Sequence, residues 1–118
     1  MKLNRDKLRA ITHYTTSYDY EDIPVEGNAS AIDPETDKET EAWIKDQLDY
    51  GNLFAWCRVK VSAHALGHEG VDHLGACSYE SKDAIERDLI PEMKENAFDD
   101  LCGIIERVLE QIPGILED

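Results

Sequence analysis

Hydrophobic and polar residues alternate with a period of two in only one stretch of the chain, Asn52 to Tyr79. Cys57, Val59 and Val61 alternate there with Trp56, Arg58, Lys60 and Ser62, the pattern of a half-buried strand. Leu74, Ala76 and Ser78 repeat it more weakly against His73, Gly75, Cys77 and Tyr79. Gly67, Gly70 and Asp72 lie between the limbs and supply turn conformations. The stretch therefore predicts an antiparallel β-hairpin over about 53–64 and 72–79.

Elsewhere the period is helical. Asp33 as N-cap and Pro34 at the first helical position open a helix over about 34–50. Trp43, Ile44 and Leu48 form its apolar stripe, and Gly51 ends it. Ser81 caps a second helical region over about 82–112, with Asp83 in its first turn and Ile85 and Leu89 facing inward. Pro91 removes a backbone donor and crowds the preceding turn, so a break or kink is expected at Leu89–Ile90. Met93, Ala97, Leu101, Ile104 or Ile105, Val108 and Ile112 then keep a helical period until Pro113-Gly114 stops it.

The N-terminal residues read two ways. Asn4 suits the cap of a short helix over 4–12, whereas ITHYTT is β-branched and aromatic enough for a strand. Residues 17–32 hold Pro24 and Gly27, show no period, and read as a surface linker. The expected organisation is an extension over 1–32 followed by one α+β domain over 33–118, in the order αββα. Its helices cover one face of the sheet, because a bare hairpin is not stable in water.

Charge changes the picture more than composition does. At 118 residues and 42% hydrophobic content, the chain can bury one core. A formal net charge of -14 argues against direct contact with nucleic acid, which needs clustered Lys and Arg, and against an anionic membrane surface. It favours the basic surface of a protein partner. No apolar run approaches the roughly 20 residues of a membrane span. The charge is unevenly placed: residues 17–49 hold eleven acids against two bases, and 74–118 hold twelve against four. Residues 50–73 balance, and 1–16 carry Lys2, Arg5, Lys7 and Arg9 against Asp6. Three scattered cysteines and no leader pattern predict a reducing cytoplasm.

Few residues carry candidate chemistry. His64, His68, His73 and Cys77 are four imidazole or thiol ligands within fourteen residues, and a hairpin could bring them to one zinc. Their spacing matches no standard zinc pattern, and the simpler expectation is loop and strand-edge histidines beside a buried thiol, with no cofactor. Cys77 beside His64 or His73 is the one credible nucleophile pair, since Cys57 and Cys102 sit at core positions. Phosphate loops, GxSxG and HExxH are absent from the sequence, which predicts no enzyme. The better-supported candidates are acids spaced along helices: Glu35, Glu39, Asp46 and Asp49, then Asp83, Glu86, Glu92, Glu95, Asp99 and Glu106. Such rows can imitate the phosphates of DNA against a basic groove.

The motif W-C-x-V-x-V at Trp56–Val61, the run G-V-D-H-L-G-A-C-S-Y-E-S at Gly70–Ser81 and A-W-I-K-D-Q-L-D-Y-G-N at Ala42–Asn52 resemble a family of small uncharacterised acidic phage and prophage proteins. The resemblance covers about residues 40–101. It implies a phage or prophage accessory protein in the host cytoplasm, and by class analogy an inhibitor of a host defence or nucleic-acid enzyme. Two alternatives stand beside it: a small metal-binding protein or enzyme built on the histidine cluster, and a structural or assembly protein of the particle. A homodimer is also expected, because a small sheet leaves open edges.

Overall fold

The computed structural model describes residues 2–29 and 34–117. Among them are four α-helices and a three-stranded antiparallel sheet: α1 (Arg5–Ile11), β1 (His13–Tyr20), α2 (Pro34–Asp49), β2 (Cys57–Ala65), β3 (His68–Cys77), α3 (Lys82–Asp88) and α4 (Ile90–Gln111). The strand order is β1-β2-β3. The expected α+β class is the observed one. No helix among the described residues is long and apolar enough to cross a membrane.

Both readings of the N-terminal residues are realised, one after the other. Asn4 accepts from the Lys7 N–H at 3.0 Å and starts α1, and the extended Thr12 leads directly into β1. The first four residues of the expected linker therefore belong to a strand. The Asp33 cap expected for α2 lies outside the described residues. At its other end the Gly51 N–H bonds Leu48 O and the Asn52 N–H bonds Gln47 O, the paired closure of a Schellman motif.

The hairpin differs from expectation at both ends. Asn52 caps a 3-10 turn over Leu53–Ala55, accepting from the Phe54 N–H at 3.2 Å, so the strand begins at Cys57 rather than about 53. Its turn is only Leu66-Gly67, with φ of 54° and 76°. Positive φ at both positions is a type I′ turn, whose twist suits a hairpin. Leu is an unusual residue there, which is why the sequence signals a longer loop. The expected break near Pro91 is a complete one: α3 ends with Leu89 bonding Ile85 O, and Pro91 falls in the first turn of α4, where no donor is missed.

The chain divides into two compact units, residues 1–16, 61–72 and 91–118, and residues 17–60 and 73–90. In the first, Val61, Ala63 and Ala65 of β2 and Met93, Phe98 and Leu101 of α4 are core residues. Gly70 of β3 sits directly on the α4 backbone. In the second, Val25, Ala29, Ile44 and Trp56 form the apolar cluster, with Leu48 against it. The Trp56 Nε1–H donates to Ile23 O at 2.8 Å and ties the 21–29 segment to that cluster.

Candidate functional site

The acids of α2 sort into two groups by what they touch. Glu41 accepts from the Gly27 N–H at 2.9 Å, and Lys45 pairs with Glu26. Both contacts hold the 21–29 segment beside the helix. Glu39, Asp46 and Asp49 are exposed and make no ion pair or side-chain hydrogen bond among the described residues. At about 1.5 Å rise per residue, Glu39 and Asp46 stand roughly 10 Å apart along the axis, and Asp49 about 5 Å further on. Glu35 lies one turn before this row, its side chain outside the described residues. On α3, Asp83 stands in the first turn beside the Ser81 cap, and Glu86 is 3.8 Å from Lys82.

A cleft of about 470 Å³ opens in the same unit, lined by Trp43 of α2, Tyr79 and Glu80 after β3, and Arg87 and Asp88 of α3. Trp43 is 38% exposed although its neighbour Ile44 is fully buried. Arg87 is held by Asp88 through contacts of 2.8 and 3.0 Å. Burial first, then the nearby Cys77 and Asp88, raise the Tyr79 hydroxyl above the usual tyrosine range. Trp, Tyr and Arg on one concave surface are the residues most often found to dominate protein interfaces.

The acids expected on α4 are placed differently. Asp99 pairs with Arg5 at 3.1 Å, and Glu95 grips Arg9 at 2.7 and 3.2 Å. The Arg9 guanidinium also lies 4.1 Å over the Phe98 ring. Arg5 and Arg9 are four residues apart, as are Glu95 and Asp99, so antiparallel helices match pair for pair. These two acids anchor α1. Glu92 and Glu106 remain exposed.

The four proposed metal ligands are not gathered. His64 on β2 stacks on His13 with centroids 5.0 Å apart, and its Nε2 is 2.9 Å from Thr15 Oγ1 and 3.8 Å from Glu69. His68 and His73 are five residues apart on β3, and strand alternation sends them to opposite faces. Among the described residues no group of three or more His, Cys, Asp or Glu is placed to hold a metal. Cys77 faces no histidine. Its thiol donates towards Leu74 O at 3.6 Å and Gly75 O at 3.8 Å, and the group that most affects its titration is the Cys57 thiol, a pairing the sequence reading missed by treating Cys57 as core filling.

No family model, curated protein or solved structure matches the chain in comparisons with known proteins.

Proposed function

We propose that this chain is a non-enzymatic binding module whose α2 and α3 acids engage the basic surface of a protein partner, with Trp43 and Tyr79 of the mixed polar cleft as the aromatic anchors. The observation that carries this reading is the row Glu39, Asp46 and Asp49, exposed on a rigid helix without neutralising cations among the described residues. Glu95 and Asp99 of α4 are consumed by internal pairs with Arg9 and Arg5; this row is not. Its density also bears on the kind of partner. Duplex DNA carries about one charge per 1.7 Å of axis, several times denser than a single carboxylate row on one helix. A basic protein patch therefore suits α2 better than a groove built to grip a full duplex. In the phage or prophage setting that the sequence resemblance implies, the partner is a host protein of the bacterial cytoplasm, and blocking a defence or nucleic-acid enzyme is the natural consequence.

The test is a pull-down from host lysate with wild type and with the triple variant Glu39→Lys, Asp46→Lys, Asp49→Lys, at low and at raised salt. A partner captured by wild type and lost both in the variant and as the Debye length shrinks from about 8 Å towards 3 Å supports the reading. A partner held equally by both proteins at both salts overturns it.

A further inference from the structure

The turn at Leu66-Gly67 sets the β2–β3 register: Ala65 lies opposite His68, and counting back along the ladder brings Cys57 opposite Ala76. Regular alternation would then turn Cys77 to the other face. Ala76, however, has φ of 53°, the left-handed conformation at the first position of a G1-type bulge, and a bulge sets two residues against one. Cys77 thereby joins Ala76 opposite Cys57. The exposures agree, with Ala76 exposed, Cys77 at 5% and Cys57 at 0%. Glu21 holds the bulge in place by accepting from the Ala76 N–H at 2.7 Å. Both thiols are free and buried. The mutual influence of the two thiols pushes Cys57 far above the usual thiol range and lowers Cys77.

We propose that Cys57 and Cys77 form a two-electron redox site that closes to an intramolecular disulfide across β2 and β3 when the chain meets a small-molecule disulfide. Cys77 reacts first. It lies at the end of β3 between the exposed Ala76 and Ser78, whereas Cys57 is sealed in the core. The Cys77 sulfur, having lost its proton, attacks one sulfur of the oxidant, whose S–S bond breaks and releases one thiol that takes up that proton. The Cys57 sulfur then attacks the mixed disulfide at Cys77. The Cys57–Cys77 bond forms, and the second small thiol leaves with the Cys57 proton. Two protein thiols are oxidised and one disulfide is reduced to two thiols. Cys102 belongs to the other unit, and burial raises its thiol, so it serves as the internal control.

The experiment treats the full chain with oxidised glutathione, in buffer and in sub-denaturing urea, then unfolds it, alkylates free thiols and maps the peptides. The expected product is lighter by two hydrogens, with the Cys57 and Cys77 peptides joined, Cys102 alkylated, and full reversal by dithiothreitol. Cys57→Ser is expected to trap glutathione on Cys77. Recovery of both wild-type thiols as alkylated peptides under both conditions overturns the proposal, and so does a cross-link only between chains or preferential modification of Cys102. The wild-type map decides the matter even where the serine variant does not fold.

Discussion

Gly70→Ala is the substitution whose effect the structure determines most directly. A Cβ at this position would stand 2.3 Å from Ala97 O, 2.3 Å from Leu101 N and 2.7 Å from Leu101 Cα, all backbone atoms of α4. Ordinary contact begins at 3.4 Å, so α4 must retreat from β3 by about 1 Å. No side-chain rotation can relieve this. Ala97, Phe98 and Leu101 are fully buried, and a retreat loosens their packing together. Overpacking of this kind costs typically 1–3 kcal/mol and occasionally more, and contact with backbone on three sides places Gly70→Ala near 3 kcal/mol. That is roughly a 150-fold loss in the folded-to-unfolded ratio, and at about 2.1 cal/mol/K per residue it lowers the melting temperature by about 12 °C. Urea and thermal denaturation measure both quantities. Gly114→Ala, where an added Cβ meets nothing within 4 Å, is the control and should melt like wild type. A Gly70→Ala protein that also melts within about 2 °C of wild type would refute the close approach of β3 and α4.

Three further outcomes are expected. The carboxyl of Glu21 is held below its ordinary value of 4.5, chiefly by the Ala76 N–H. Its contribution is therefore complete above that value and disappears as the pH falls through the lower folded-state value. Glu21→Gln should accordingly melt below wild type at neutral pH, with the gap closing in acid; a gap that widens in acid contradicts the assignment. Trp56→Phe removes the donor to Ile23 O and part of a buried ring, which should lower stability by about 1–3 kcal/mol in urea unfolding; an unchanged midpoint would mean that the 21–29 segment is not tied down this way. Iodide should quench the emission of Trp43 and leave that of the buried Trp56, so Trp43→Phe should abolish most quenching, and persistence of quenching would count against the open cleft.

The sequence by itself was enough for the class of fold. Period-two alternation over Cys57–Val61 and helical spacing over Met93–Ile105 are local properties, and burial of those faces follows from the hydrophobic effect whatever the partner surface. Asn4, Ser81 and Gly51 marked helix ends for the same reason, since caps act through hydrogen bonds a few residues away. The N-terminal ambiguity was real but false as a choice, because Thr12 divides a helix-forming half from a strand-forming half. Tertiary structure decided which charges and thiols are available. Arg5 and Arg9 lie some ninety residues from Asp99 and Glu95, and only the docking of α1 on α4 turns two expected binding acids into internal partners. A two-residue turn formed by an unlikely leucine fixed the hairpin register, separated His68 from His73, and with one bulge at Ala76 brought Cys77 to Cys57. In a strand each one-residue shift reverses the face a side chain occupies, so chemistry that depends on register is legible only once the turn and the bulge are known.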